Sequence, residues 1–159
     1  MKFNSALKNF VLVLFSTLLI SACSTAKKAS VDTVDDVYTG TDTVEYLANG
    51  VPDRVFFATN KSSLTTRSRD TLRKQATYLR KNKDLTVTIE GHADERGTRE
   101  YNLALGERRP NAAKDYLMTY GVSGKRISVI SYGKEKPVNP ASSPLAWSQN
   151  RRSVTIKAN

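Results

Sequence analysis

The sequence predicts an α+β domain in which one mixed sheet carries helices on one face, in the order β-α-β-α-β-(α)-β. Two observations support this prediction. Short segments rich in β-branched and aromatic residues alternate with longer segments whose apolar residues recur at helical spacing. The helical segments lie between the strands, so packing them on one face of a single sheet gives a two-layer sandwich. The predicted domain, residues 51–159, has an ordinary single-domain size.

The first strand and the first helix are predicted at the start of this domain. Residues 54–59 read Arg-Val-Phe-Phe-Ala-Thr, which favours a strand, and a polar turn follows at 60–63. Thr65 or Thr66 is the expected helix cap, because a hydroxyl there can accept from the first unpaired backbone N–H groups. Arginines and lysines surround the apolar stripe of this helix, which is Leu72, Ala76 and Leu79.

The middle of the domain predicts a second strand and a second helix. Apolar and polar residues alternate over 85–90, as in a half-buried strand, and a glycine-bounded loop follows at 91–97. Thr98 is the expected cap of the second helix, and Gly121 is a typical stop. The expected buried stripe of this helix is Leu103, Ala113, Tyr116, Leu117 and Tyr120.

The last part of the domain predicts two more strands around a proline-rich loop. Residues 127–132 and 153–157 read as strands, and 133–144 contains three prolines. A short helix begins at Pro144, since proline suits the first helical position.

The N-terminus reads as an export signal rather than as part of the fold. Lys2 and Lys8 precede an apolar run at 10–20, and small residues follow it. This pattern is typical of a secretory signal peptide, predicted over 1–22. The run is shorter than the ~20 residues that a membrane-spanning helix needs.

The only cysteine lies directly after this signal. The string Ile-Ser-Ala-Cys at 20–23 resembles the bacterial lipobox, which implies cleavage before Cys23 and acylation of that residue. Ser24 follows where aspartate would favour the inner membrane, so we expect a lipid anchor in the outer membrane with the domain facing the periplasm. Residues 23–50 are polar and predict a flexible tether, on which Val44, Tyr46 and Leu47 are candidates for contact with the domain.

Composition excludes several classes of function. One Cys and one His cannot supply the four ligands of a structural zinc site, and no paired carboxylates or nucleophile stand out, so we predict no metal, no cofactor and no enzyme. His92 is the single histidine of the sequence, so a catalytic site that needs a histidine would have to use it. A structural role is favoured for this residue. The domain carries 21 basic and 10 acidic residues, which suits an anionic partner. The export signal argues against nucleic acid.

Four motifs, at 90–97, 101–109, 131–137 and 150–154, resemble those of the OmpA-like peptidoglycan-binding domains, and most closely the peptidoglycan-associated lipoproteins of the Tol system. The resemblance covers about 53–157. It implies non-covalent binding of peptidoglycan through the meso-diaminopimelate of its stem peptide. It also implies a role in envelope integrity and cell division, with TolB as a periplasmic partner.

The resemblance assigns four candidate binding residues. The family's ligand-binding aspartate and arginine match Asp94 and Arg109, a packing position matches Leu105, and a family aspartate matches Asn60. Diaminopimelate carries an ammonium and a carboxylate on one carbon. A binding site for it must therefore offer a hydrogen-bond acceptor for the ammonium and a pair of donors for the carboxylate. Asp94 can accept from the ammonium and Arg109 can grip the carboxylate. An exposed ion pair of the two is the plainer alternative.

Two alternatives to this function remain from the residues. One is a basic periplasmic protein that binds anionic polymers or other envelope proteins without a specific peptidoglycan site, and the other is a small hydrolase. Pro110 stands where the family has alanine, and it predicts a kink next to Arg109 because proline removes a helical hydrogen bond.

Overall fold

The computed structural model of the chain describes residues 31–32 and 36–158. Eight strands, three α-helices and one 3₁₀ turn follow one another in this part of the chain. They are β1 (Val31–Asp32), β2 (Val37–Tyr38), β3 (Tyr46–Ala48), β4 (Val51–Pro52), β5 (Arg54–Phe56), α1 (Thr66–Lys81), β6 (Val87–His92), α2 (Arg99–Thr119), the 3₁₀ turn Gly124–Arg126, β7 (Ile127–Gly133), α3 (Pro144–Asn150) and β8 (Arg152–Lys157).

The central sheet has four strands in the order β5-β8-β6-β7. β8 pairs antiparallel with both β5 and β6, whereas β6 pairs parallel with β7. The two short pairs β1-β2 and β3-β4 are separate hairpin-like ladders. The predicted α+β class and mixed sheet are therefore confirmed.

Helices α1 and α2 pack on one face of this sheet and form the main core. Thr65 and Thr98 accept hydrogen bonds from the first turns of the two helices, as predicted. The core combines the stripe of α1, two residues of α2, inward side chains of the strands and two loop residues, Phe57 and Val122: Val55, Phe57, Leu72, Ala76, Leu79, Val87, Ile89, Ala113, Leu117, Val122 and Ile127.

Helix α2 lies unusually close to β6, because glycines face each other at the contact. A Cβ atom added to Gly91 would lie 1.6 Å from the carbonyl oxygen of Gly106, and one added to Gly106 would lie 2.4 Å from Ser131 Oγ. Ser131 Oγ donates to the carbonyl of Leu103 at 2.7 Å. This close approach brings the next turn of α2, which carries Arg109, over the end of β6.

Three details of the predicted elements differ from the structure. β6 extends to His92 and not to 90, because Gly91 pairs with both neighbouring strands and His92 pairs with Gly133. β5 ends at Phe56 rather than at 59, and the chain then turns across the end of the sheet. Leu103, predicted as buried, is 51% exposed, since the inner face of α2 contains polar residues instead.

The N-terminal segment, residues 36–50, packs on the domain and does not form the flexible tether predicted over 23–50. Tyr38 and Leu47 are buried, and Tyr38 lies edge-on to Phe56 with ring centroids 4.8 Å apart. Tyr46, also proposed as a contact, is mostly exposed. The scattered apolar residues of this segment were too few to predict a core, but they fill grooves that the domain provides. Cys23 and the signal peptide lie outside the described residues.

Pro110 lies inside helix α2 (Arg99–Thr119), which continues on both sides of it. The proline ring lies in the close contact with β6, and Arg109 points into the buried interior. Across the described residues, no helix has the length and apolar character needed to span a membrane.

Candidate functional site

Asp94 follows the end of β6 and is buried, with 7% of its surface exposed. Its Oδ1 accepts from the backbone N–H and the Nε of Arg96, both at 3.1 Å. Its Oδ2 accepts from Arg96 Nη2 at 2.8 Å and from Arg151 Nη1 at 3.2 Å. Burial alone raises the pKa of Asp94, but the hydrogen bonds from Arg96 and Arg151 outweigh it and hold the pKa below its usual range. The carboxylate is ionised and accepts four hydrogen bonds.

Arg109 is fully buried and joins two segments, the turn after β5 and the end of β6, through three backbone carbonyls. Its Nε donates to Lys61 at 3.0 Å, its Nη1 to His92 at 2.7 Å, and its Nη2 to Ala58 at 3.2 Å. The guanidinium also lies 5.3 Å from the ring centre of Phe57. A guanidinium has five N–H groups, so two N–H groups, one on each Nη atom, are not used in these bonds.

The charge state of Arg109 follows from its surroundings. Burial, the largest cause, and the positive charge of Arg151 together lower its pKa to about 9, and the charge of Asp94 opposes both effects. The side chain is therefore protonated at neutral pH. Arg109 Nη1 donates to the carbonyl of His92, two residues before Asp94, and the Asp94 carboxylate itself pairs with Arg96 and Arg151.

Arg151 is a third buried charge at this site, and sequence reasoning missed it. Its Nε donates to the carbonyl of Phe57 at 3.0 Å, its Nη1 contacts Asp94, and its Nη2 lies 2.9 Å from Asp36 Oδ1. It belongs to the motif at 150–154, which was used only for the resemblance. The signal that could have indicated the burial of Arg151 was its position directly before a strand that is buried on both faces.

Five charged side chains thus meet beyond the ends of β6 and β5, and we call them the charged cluster. They come from the N-terminal segment, the loop after β6, α2 and the residue before β8: Asp36, Asp94, Arg96, Arg109 and Arg151. Two of these residues, Asp94 and Arg109, were predicted, and the other three were not.

Arg96 is the most exposed arginine of the charged cluster, with 41% of its side chain exposed. Its guanidinium lies 4.4 Å from the ring centre of Trp147, a cation–π contact. Glu95 supports that ring, because its Oε1 accepts from Trp147 Nε1 at 2.8 Å and from Ser142 Oγ at 2.6 Å. The loop after β6 is thereby fixed to α3.

The two lesser candidates take different positions. Leu105 is 3% exposed and lies on the inner face of α2, one turn before Arg109, where it supports that turn. Asn60 is exposed and has a φ of +57°, a left-handed conformation that asparagine adopts more readily than most residues. It lies in the turn between the carbonyls of Ala58 and Lys61, which both accept from Arg109.

His92 is a buried residue whose surroundings favour the neutral imidazole. Burial lowers its pKa to about 3, and the positive charge of Arg152 is the next cause. Its Nε2 lies 3.3 Å from Glu90 Oε2, and its ring stacks on Tyr132 at 5.5 Å. Its backbone carbonyl accepts from Arg109. These contacts favour the structural role expected from the sequence.

A groove of about 580 Å³ borders the charged cluster. Its walls come from the N-terminal segment, the turn after β5 and the start of α1: Asp36, Val37, Ala58, Thr59, Lys61, Ser63, Leu64, Thr65, Thr66 and Arg69. A larger depression of about 830 Å³ lies between α1 and the β3-β4 turn, and none of the predicted site residues lines it. Within residues 31–32 and 36–158, no cluster of His, Cys, Asp and Glu could hold a metal ion.

Known proteins resemble this chain in sequence. The model of the OmpA family matches residues 56–151, more than half of the chain. A peptidoglycan-associated lipoprotein of Rhizobium meliloti (strain 1021) is 56% identical over 106 residues, which are 67% of this chain and 60% of that protein. The chain therefore spans less than two thirds of that relative. A protein of the same name from Brucella melitensis biotype 1 is 42% identical over 151 residues, 91% of this chain and 89% of its own.

Solved structures show the same fold. The crystal structure of the peptidoglycan-associated lipoprotein from Burkholderia pseudomallei superposes with a TM-score of 0.65 at 36% identity, covering 67% of this chain and 90% of that chain. The C-terminal domain of Helicobacter pylori MotB has the same fold at 20% identity and a TM-score of 0.63. Family match, identity and fold agree, so the chain belongs to the OmpA family and, within it, to the peptidoglycan-associated lipoproteins.

Proposed function

We propose that this protein binds peptidoglycan non-covalently through meso-diaminopimelate and tethers the outer membrane to the cell wall by a lipid on Cys23. Membership of the family supports a binding protein and not an enzyme. The observation that carries the proposal is the charged cluster, in which a buried carboxylate and two buried guanidinium groups meet beside a groove. Such a set matches a ligand with both charges on one carbon.

The ligand carboxylate would bind the N–H groups of Arg109 that its three carbonyl bonds leave over. Because those carbonyls already fix the guanidinium, little side-chain entropy is lost on binding. Low water access strengthens the charged hydrogen bonds. A lysine at this position could offer neither the fork nor the three carbonyl bonds.

The ligand ammonium needs an acceptor, and Asp94 already accepts four hydrogen bonds. Two oxygens offer about four lone-pair sites, so binding requires that one donor leaves. Arg96 supplies the suitable donor, since it is exposed on one side and can keep its contact with Trp147. We infer that the ammonium replaces one or both side-chain bonds of Arg96 to Asp94.

Co-sedimentation with purified cell walls tests this function. We expect Asp94→Ala to weaken binding to diaminopimelate walls by a few kcal/mol, because the ammonium loses its charged acceptor. Asp115→Ala is the matched control, since it removes an exposed acid of α2 far along the helix. Walls with lysine in place of diaminopimelate lack the second carboxylate and should bind poorly. Equal binding of both wall types, or full binding by Asp94→Ala, contradicts the site.

We further propose that the protein acts in the Tol–Pal system, with TolB as a periplasmic partner in envelope integrity and division. The family assignment supports this partner. Pull-down of purified TolB by the full chain, with and without wall fragments, tests it. Loss of the complex in both conditions contradicts the partnership without affecting the wall-binding proposal.

Binding of an anionic polymer is the second candidate, and the outer face of α1 favours it. This face exposes six basic residues against one acid, Asp70: Arg67, Arg69, Arg73, Lys74, Arg80 and Lys81. Attraction of this kind falls steeply with salt. Retention of wall binding at high salt, together with sensitivity to Asp94→Ala, favours the specific site. Loss of binding on neutralising Arg73 and Lys74 favours the polymer.

A further inference from the structure

The N-terminal segment brings a carboxylate of its own into the charged cluster. Asp36 Oδ1 lies 2.9 Å from Arg151 Nη2, and the backbone carbonyl of Asp36 accepts from the same nitrogen. Its other carboxylate oxygen accepts from Thr59 Oγ1. Asp94 Oδ2 lies on the opposite side of the guanidinium, bonded to Nη1. Arg151 therefore binds one carboxylate from the domain and one from the N-terminal segment.

The two partners of this ion pair differ in their access to solvent. The Arg151 side chain is 1% exposed, whereas the Asp36 side chain is 45% exposed. Asp36 is thus the outer member of the pair and also borders the groove at the charged cluster. A carboxylate that approaches Arg151 from the groove would meet Asp36 at the same nitrogen.

Besides its bonds to Arg151 and Thr59, Asp36 is held by the short β1-β2 ladder and by the packing of the residues that follow it. Val37 and Tyr38 pack with Phe56 in a small apolar cluster, and Gln149 Nε2 donates to Asp42 Oδ2 at 3.0 Å. The Tyr38 hydroxyl is buried, and no described residue hydrogen-bonds it. Such a hydroxyl lowers the stability of the packed form, because it regains water when the segment leaves.

We propose that Asp36 is an internal competitor of the ligand. Its carboxylate covers Arg151 at the edge of the groove through which a wall peptide reaches the charged cluster, so the start of the N-terminal segment leaves before the ligand binds fully. This inference rests on the proposed peptidoglycan binding and adds its regulation. A ligand that binds only the open form shows an affinity reduced by the fraction of open molecules.

The conformation of Asp36 determines which substitution tests this. Its φ is +52°, in the left-handed region, which asparagine also tolerates. Asp36→Asn therefore removes the charge and keeps the backbone. Glu45→Gln is the matched control: it makes the same change of net charge in the same segment, and Glu45 is 83% exposed and contacts Arg54 rather than Arg151.

The experiment measures binding of the full chain, purified in detergent, to diaminopimelate walls and to a soluble muropeptide containing meso-diaminopimelate. We expect Asp36→Asn to bind about tenfold more tightly than the wild type. This gain corresponds to a wild type in which ~90% of molecules hold the segment closed and a variant in which the segment is open. Glu45→Gln should bind as the wild type does. Equal or weaker binding by Asp36→Asn overturns the inference while wild-type binding still supports the proposed function. If neither chain binds, the proposed function fails and the inference fails with it.

Amide hydrogen exchange gives a second readout that a purely structural role of Asp36 would not change. Saturating muropeptide should speed exchange in residues 36–42 of the wild type, because the segment is displaced. Exchange there that is unchanged or slowed by the ligand contradicts displacement. In Asp36→Asn the same amides should already exchange faster without ligand.

Discussion

Buried arginines dominate this site at the scale of single residues. Arg109 donates to three backbone carbonyls, two in the turn after β5 and one at the end of β6, so its guanidinium holds these two segments together. Under the proposed function, its remaining N–H groups bind the ligand. Arg151 likewise joins Phe57 and Asp94. Each replaces bonds to water with fixed charged hydrogen bonds, and the removal of either leaves buried acceptors without donors.

Replacing Arg109 should therefore destabilise the fold as well as the site. We expect Arg109→Ala to lower the free energy of unfolding by about 3–5 kcal/mol, because the carbonyls of Ala58, Lys61 and His92 lose their donor. Arg108→Ala, an exposed neighbour, should change it by less than ~0.5 kcal/mol. Urea unfolding at pH 7 measures both. Similar stability of the two variants would mean that water replaces the Arg109 bonds.

His92 gives the protein a pH dependence with a definite sign. In the unfolded chain its pKa is about 6.5, and in the fold burial lowers the pKa to about 3. Stability is therefore full above pH 6.5 and falls as pH drops toward 3, by up to ~1.4 kcal/mol per unit. Between pH 7 and 5, urea unfolding should show a loss of up to ~2 kcal/mol. His92→Gln should remove most of this slope, and an unchanged slope would assign it to other groups.

At the scale of elements, helix α2 shows where sequence patterns succeed and where they fail. Its cap Thr98 and its length follow from local chemistry, which the sequence displays directly. Its inner face does not, because Asn102 and Arg109 are polar residues at buried positions and Leu103 is an apolar residue at an exposed one. A periodicity argument assigns polar residues to solvent, and only the partners in distant loops make their burial favourable.

The contact of α2 with β6 depends on the absence of a side chain at Gly91. We expect Gly91→Ala to destabilise the domain by several kcal/mol, since its Cβ would overlap the Gly106 carbonyl and backbone cannot move aside as a side chain does. Gly124→Ala is the control, because its Cβ would meet only the flexible side chain of Met118. Thermal unfolding measures both. Equal melting temperatures would show that α2 can shift without loss.

At the scale of the whole molecule, the sequence predicted the order of elements and the mixed sheet but not the packing of residues 36–50 on the domain. Residues 36–50 contain few apolar residues, and Val37, Tyr38 and Leu47 are buried only because matching grooves exist elsewhere in the domain. Of the two charges that the resemblance assigned, Arg109 donates to the carbonyl of His92, two residues before Asp94. Arg151 and Asp36 complete the charged cluster from positions 57 and 58 residues away from Asp94, a juxtaposition that only the fold creates.

The anchoring of the whole molecule is tested at Cys23. We expect mass spectrometry of the membrane fraction to show loss of residues 1–22 and added acyl mass on Cys23. Stable anchoring takes two or more acyl chains, so Cys23→Ser should release the protein from the membrane fraction or leave it unprocessed. A mature protein that starts at Met1, or that carries an unmodified Cys23 thiol, contradicts the anchor.

The packed N-terminal segment has a mechanical consequence. Under the proposed anchoring at Cys23, tension between the membrane and the wall enters through β1, which pairs with β2, and loads the contacts of the N-terminal segment one after another, which requires less force than breaking them together. Released residues 36–50 would add about 50 Å of reach at ~3.3–3.6 Å per residue. The segment then lengthens the connection between membrane and wall only when the envelope layers move apart, while the sheet and its two helices stay folded.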